Sequence, residues 1–416
     1  MLFAGIPVVL YAQNSTESPY SRYGYGKLSD RALGAQRGMG GIGYGLRNSQ
    51  TINTLNPAAF SSVDSMTFMM DFGVMAQSAW YEEKQSKSRK SHANLEYVAL
   101  QFPLSQTLGM GLGFEPFSSV GYNYGRVDSL KQVGGWAQEI YKGTGGFSKV
   151  YTSLSYKISP RLSAGINVGY LFGNIINNRQ MIPLSGGDYS VRPDTLQTSS
   201  FVYEAGVQYV LPAGKNKYWV FGAVFSPPIK LNNTFSKSEF NVNQSGLIQG
   251  NSNYYSTKDS VFELPATYGL GVTFNEKDKF TAGIDVQYQA WASAKYYDKT
   301  GDLSNRLKIN LGGEYIPDSR SNHFLKRIRY RAGLNYSNSY INVSGSGKGY
   351  KEYSAGLGLG IPMLDRRSFV NLAFDYTLLN PDAKSYGVFD FVNERYFRLT
   401  VSYTFNELWF FKRKVQ

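Results

Sequence analysis

Residues 395–405 read Arg-Tyr-Phe-Arg-Leu-Thr-Val-Ser-Tyr-Thr-Phe: Phe397, Leu399, Val401, Tyr403 and Phe405 alternate with Arg398, Thr400, Ser402 and Thr404. A period of two belongs to a strand with one apolar and one polar face. In 368–379, Val370, Leu372, Phe374 and Tyr376 alternate with Asn371, Ala373, Asp375 and Thr377, and in 279–289 Phe280, Ala282, Ile284, Val286 and Tyr288 face away from Asp285 and Gln287. Similar runs near 66–79, 94–103, 108–117, 149–157, 162–172, 200–211, 217–226, 265–274, 306–315, 327–337 and 352–361 bring the predicted strands to fourteen. The number is even, and each run has the ~9–11 residues that a tilted strand needs to cross a bilayer.

The composition agrees with an all-β chain. Its 416 residues include Tyr 33, Phe 26, Trp 5 and Gly 44, with 15% aromatic and only 18% charged. Disorder needs few aromatics, and a coiled coil needs heptads of Ala, Glu, Lys and Leu, so both are excluded. Past the first residues no stretch reaches the ~18 apolar residues of a transmembrane helix. A membrane crossing would therefore be made by a closed, antiparallel transmembrane β-barrel.

The links support that reading. Short ones at Pro103 to Thr107, Ser159 to Arg161, Pro212 to Asn216, Asn275 to Asp278, 316–326 and Pro362 to Arg367 alternate with long ones at 80–93, 118–148, 173–199, 227–264, 290–305, 338–351 and 380–394. Outer-membrane barrels have short periplasmic turns and long outer loops, so both ends of the barrel segment fall on the periplasmic side. The charges lie on the face opposite the apolar one: Glu204, Asp285, Glu314 and Asp375 against Lys308, Arg329, Arg331 and Arg398. In a membrane barrel they line the lumen and avoid the ~2–4 kcal/mol cost of a base at mid-bilayer on the lipid face. They are expected to form a lattice of ion pairs that braces the barrel and seats what fills it, since unpaired buried charge is costly.

Zero Cys removes disulfides, thiolate metal sites and Cys nucleophiles, and the imidazoles are His92 and His323 alone, far apart. No catalytic residue, metal site or cofactor site is predicted, and the chain does not read as an enzyme. The net charge of +13 is spread along the chain without a long basic block or a recognisable nucleic-acid motif, which points to a membrane surface and away from nucleic acid.

Four segments follow. Residues 1–12, MLFAGIPVVLYA, read as the remnant of a signal peptide. Residues 13–65 are a periplasmic N-terminal segment forming a compact hatch or plug, 66–405 are the barrel, and 406–416 are an aromatic and basic periplasmic tail. In that tail Trp409, Phe410 and Phe411 precede Lys412-Arg413-Lys414, a pattern suited to anchoring in the membrane interface or to docking a periplasmic partner.

Gly38, Gly40, Gly41, Gly43 and Gly45 neither follow a strand nor open a βαβ unit, so they read as backbone packing sites rather than a phosphate loop. Their order, followed by Asn56-Pro57-Ala58-Ala59-Phe60 and then the first strand, resembles the N-terminal hatch of the FadL family of outer-membrane channels. Leu264-Pro265-Ala266-Thr267-Tyr268-Gly269-Leu270-Gly271 resembles the proline-led strand after a long outer loop in that family. The resemblance implies a fourteen-stranded barrel in the outer membrane of a Gram-negative bacterium, set in lipid bilayer and lipopolysaccharide, with the N-terminal segment as a lumenal plug. It also implies a fatty-acid-like hydrophobic ligand captured outside and passed sideways through a gap in the wall. The outer link 118–148, with Tyr122, Tyr124, Val133, Trp136, Ile140 and Tyr141, is the predicted contact for a ligand or partner. Two functions remain open: a channel taking up small hydrophobic molecules, or a non-transporting scaffold subunit of an outer-membrane secretion or barrel-assembly complex with outer-membrane or periplasmic protein partners.

Overall fold

The computed structural model describes Thr16 and residues 18–83, 86–129, 135–257, 261–343, 349–383, 385–386 and 389–409. The predicted signal segment 1–12, Val133, Phe410 and Phe411 lie outside the described residues.

Fourteen strands make one closed antiparallel wall. They are β1 (Thr67–Glu83), β2 (Ser86–Pro103), β3 (Leu108–Ser129), β4 (Trp136–Lys157), β5 (Leu162–Pro183), β6 (Tyr189–Gly214), β7 (Lys217–Ser226), β8 (Thr267–Glu276), β9 (Phe280–Gln289), β10 (Arg306–Tyr315), β11 (Arg329–Asn338), β12 (Tyr350–Pro362), β13 (Phe369–Pro381) and β14 (Asn393–Leu408). Closure is made by β1 on β14, from Thr67 opposite Leu408 to Glu82 opposite Asn393. Among the described residues no helix is long and apolar enough to cross a membrane; the strands do so. Leu270, Leu311, Leu334 and Leu357 point outward and are more than half exposed, whereas Thr273, Asn371, Thr400 and Thr404 point inward and are fully buried. Apolar outside and polar inside is the inverse of a soluble barrel and fits a wall standing in lipid. The protein is an outer-membrane barrel.

Four predicted loops are corrected: the stretch 80–93 continues β1 to Glu83 and resumes as β2 at Ser86. The stretch 118–148 continues β3 to Ser129 and resumes as β4 at Trp136, and 173–199 continues β5 to Pro183 and resumes as β6 at Tyr189. Within 227–264 a hairpin of Asn233–Val242 and Ile248–Thr257 pairs with β6, Asn233 opposite Thr198 and Val242 opposite Tyr189. Above the membrane neither face of a strand meets lipid, so the period-two apolar signal disappears while cross-strand hydrogen bonding continues. The last strand likewise runs to Leu408 rather than ending at Phe405.

The segment before β1 lies inside the wall. At the outer end Ser18 Oγ donates to Glu394 Oε1 at 2.7 Å and Tyr25 OH to the Glu263 carbonyl at 3.0 Å. At the inner end Gln101 Nε2 donates to the Phe60 carbonyl at 3.0 Å. Little of this path is regular. It holds short turns at Pro19–Arg22, Gly34–Arg37 and Pro57–Ser62 and a two-residue strand, Lys27–Leu28. Its backbone groups are satisfied partly by its own turns, as Arg37 N–H is by the Leu33 carbonyl at 2.8 Å, and partly by the wall, as Gly34 N–H is by Tyr97 OH at 2.7 Å.

Candidate functional site in the lumen and at the wall seam

The lumenal charges fall into separate groups. Arg31 of the N-terminal segment reaches Glu204 Oε2 at 2.7 Å and Glu115 Oε1 at 3.2 Å, and Lys149 Nζ completes Glu115 at 2.7 Å. Asp30 pairs with Lys308 at 3.1 Å, and Arg37 pairs with Glu96. Asp285 Oδ2 accepts the backbone N–H groups of Gly43 at 2.6 Å and Tyr44 at 2.8 Å. A second centre lies mainly in the wall: Glu314 takes Arg331 at 2.7 Å and Arg329 at 3.4 Å, Arg331 also donates to Asn371 Oδ1 at 2.7 Å, and Arg329 also donates to Gln50 Oε1 of the segment.

All eight charges predicted for the lumen face inward, but they do not form one lattice. Glu204, Asp285 and Lys308 hold the segment; Glu314, Arg329 and Arg331 hold each other. Arg398 donates to Gln77 Oε1 at 3.3 Å, and Asp375 is buried with its Oδ2 unpartnered among the described residues. Asp30, Arg31, Arg37, Glu96, Glu115 and Lys149 escaped the sequence reading. Glu115 and Lys149 were within reach of it, since both occupy inward positions of predicted strands; Asp30 and Arg31 sit in irregular chain that has no periodicity to reveal which way they point.

The predicted hatch residues are contact points between backbones. Gly40 has φ +65° and lies so close to the wall that an added Cβ would stand 2.6 Å from the Leu311 carbonyl oxygen and 2.8 Å from the Leu334 nitrogen. Only glycine combines that conformation with that approach. Gly38 faces Gly358 across a similar gap, and the Gly41 carbonyl accepts Asn310 Nδ2 at 3.0 Å. Asn56 caps the turn Pro57–Ser62: its Oδ1 accepts the Ala58 N–H at 3.0 Å, with Pro57 at the first position, where no N–H is needed. Its Nδ2 donates to the carbonyls of Tyr44 at 2.8 Å and Val207 at 3.1 Å, so Asn-Pro-Ala ties the turn to both segment and wall.

At the outer end an apolar cluster closes over the segment. The Tyr25 ring lies 5.7 Å from Trp291 and 5.4 Å from Tyr296, and Tyr340 OH donates to the Gly26 carbonyl at 2.5 Å. Between the segment and the wall remains a polar cavity of about 50 Å³ lined by Lys27, Asp30, Arg37, Lys308, Asp375 and Arg398 among others.

Among the described residues the wall parts between β2 and β3. β2 and β3 pair only from Val98 opposite Phe114 to Pro103 opposite Gly109. Above that point the register of β3 on β4 shifts between Pro116 and Ser118, and Gly146 of β4 takes φ +147°, a bulge that turns β3 away from β2. Lys27 and Leu28 take up the freed edge opposite Ser119 and Ser118, the Ser29 N–H donates to the Phe117 carbonyl at 2.9 Å, and Ser21 Oγ donates to the Gly121 carbonyl at 3.0 Å.

Three of the four aromatic residues predicted as an outer contact meet beside this seam. Ring centroids are 5.8 Å apart for Tyr122 and Tyr124 and 5.4 Å for Tyr124 and Tyr141. Arg22 stands 3.8 Å over Tyr141 and donates to Tyr124 OH at 3.0 Å. Trp136 does not join them: it starts β4 opposite Ser129 and is 59% exposed. In the tail, Trp409 stacks on Phe68 at 4.4 Å and its backbone N–H donates to the Met66 carbonyl at 2.8 Å, extending the β1–β14 closure.

Solved structures that resemble this chain include toluene transporters and a monoaromatic hydrocarbon channel. A FadL homologue from Pseudomonas aeruginosa matches with TM-score 0.63 and 12% identity over 91% of this chain and 99% of its own. A toluene transporter, TodX, from P. putida matches with TM-score 0.62 and 13% identity over 92% and 100%, and the toluene transporter TbuX of Ralstonia pickettii with 0.61 and 12% over 90% and 98%. At such identity the likeness is one of fold. No curated protein sequence matches the chain. The family model for BamG matches residues 1–416, so this FadL-type barrel belongs to the BamG family.

Proposed function

We propose that the protein is a sealed barrel serving as a scaffold subunit of an outer-membrane protein secretion or barrel-assembly complex, with residues 13–65 as its plug. The observation that carries this is the filled lumen. The segment is bound to the wall at both ends, its Asp30, Arg31 and Arg37 are matched by wall charges, and the cavities beside it, of about 50 and 340 Å³, are polar. A hydrophobic solute needs an apolar path, and burying it among ion pairs would strip those charges of their partners. Membership of a family named apart from the FadL-type channels supports the same reading. The test is native mass spectrometry of the protein extracted at natural expression level in mild detergent. A stoichiometric complex with other proteins and no small ligand is the expected result; a lone barrel carrying an apolar molecule of a few hundred daltons sinks the proposal.

The seam favours a second reading, a channel for small hydrophobic, fatty-acid-like molecules. The break between β2 and β3, with Tyr122, Tyr124 and Tyr141 beside it, suits sideways release of an amphipathic ligand. It requires Ser21, Lys27, Leu28 and Ser29 to leave the β3 edge, so deleting the segment should raise uptake if this reading holds.

A further inference from the structure

We propose that the outer mouth of the seam is a seat for the phosphorylated headgroup of an outer-leaflet glycolipid. A cavity of about 390 Å³ opens there, lined by Tyr81, Lys87 and Lys90 on one side and Tyr122, Tyr124 and Lys142 on the other. Glu83 is the one acid among its described lining residues. Three ammonium groups against one carboxylate favour an anion, and tyrosines suit the region where sugar, phosphate and acyl chain meet.

The height is fixed by Trp80. This outward residue sits directly opposite Arg89, whose guanidinium lies 5.1 Å over the indole. Trp marks the lipid–water boundary of a barrel, and a base above it snorkels toward the headgroups. Tyr81, Lys87 and Lys90 lie within two positions of that pair along the same hairpin, so the cavity opens at headgroup level. Lys87 pairs with Glu82 at 3.1 Å, but both side chains are exposed; such a pair is weak and gives way readily to a phosphate. Lys142 is exposed on β4 opposite Asn123. The outward wall below carries Phe72, Val74 and Leu95, all exposed, which gives the acyl chains of the same lipid a surface to lie on.

The test uses the purified full-length protein in detergent and native mass spectrometry with three probes: bisphosphorylated lipid A, the same lipid with its phosphates removed, and inorganic phosphate alone. Lipid A adducts are expected to persist, with dephosphorylated lipid and inorganic phosphate each weaker on the order of tenfold. The double variant Lys87→Ala, Lys142→Ala should lose that preference, while Lys215→Ala in a periplasmic turn should keep it. Equal retention of the dephosphorylated lipid overturns the proposal. So does inorganic phosphate binding as tightly as the lipid, which makes the site one for free anions, or an undiminished preference in the double variant. The comparison of probes on the unaltered protein decides the matter even if the variant fails to assemble.

Discussion

Glu314 on β10 and Glu204 on β6 are both buried acids facing the lumen, yet they hold different things together. Glu314 is bound by two arginines of the neighbouring strand, whereas Glu204 is bound by Arg31 of the N-terminal segment. The first stiffens the wall; the second fastens what fills it. Inward charge in a barrel therefore does not reveal its role by position on the strand, only by its partner. Glu314→Gln should show the largest effect, since it leaves Arg329 and Arg331 buried and facing each other, at a cost of about 3–5 kcal/mol. Urea unfolding followed by heat-modifiable migration on gels should show a less stable barrel. Unchanged unfolding would mean the two centres are not different in kind.

Arg31→Met is the matching change at the other centre. It strands Glu204 and half of the pairing on Glu115, at a cost of about 2–4 kcal/mol once the partial exposure of Arg31 is allowed for. The expected outcome is a barrel that still migrates as folded while its segment becomes open to protease. Loss of barrel folding alongside the segment would show that the wall cannot stand without it. Gly333→Val tests the same seat without charge. A Cβ there overlaps the backbone of Met39 and Gly40, and overpacking of this kind costs about 1–3 kcal/mol. It too should free the segment first.

The wall was legible because lipid imposes a rule on every second residue. In 395–405 and 279–289 the outward side chains had to be apolar, so register, strand number and lumenal face could be read directly. Where lipid ends, so does the rule: the upper halves of β3 to β6 look like loops in sequence although they pair throughout. The segment is harder still. Asp30, Arg31 and Arg37 lie in turns whose direction is set by the wall, and the seam arises from a bulge at Pro116–Ser118 and a glycine conformation at Gly146 that no periodicity records. The glycines of the segment were noticeable, but the wall glycines that receive them, Gly333 and Gly358, read as ordinary strand residues.

Asn56→Ala tests the inner anchor of the segment. The cap on Ala58 and the two side-chain bonds to Tyr44 and Val207 are lost together, and the cap alone contributes about 1 kcal/mol. A modest rise in protease cleavage near Phe60, with the outer end still protected, is expected. Equal exposure at both ends would indicate that the segment leaves as one unit.

The smallest effect is expected from acid, at the Asp30–Lys308 pair that also fastens the segment. Burial by itself would raise the Asp30 carboxyl, but Lys308 and Arg37 more than offset this and hold it well below the usual carboxylate range. A carboxyl depressed in the folded state adds stability that is complete above its unfolded value, about 3.9, and is lost as pH falls through the folded value. The difference in segment protection between the unaltered protein and Asp30→Asn should therefore stay level from about pH 8 to pH 5 and shrink only below about pH 4. Asp30→Asn should lose part of that protection already at pH 7 and flatten the acid limb, because Lys308 is then left without its carboxylate. Equal protection in the unaltered protein and Asp30→Asn at pH 7 would remove Asp30 from the fastening.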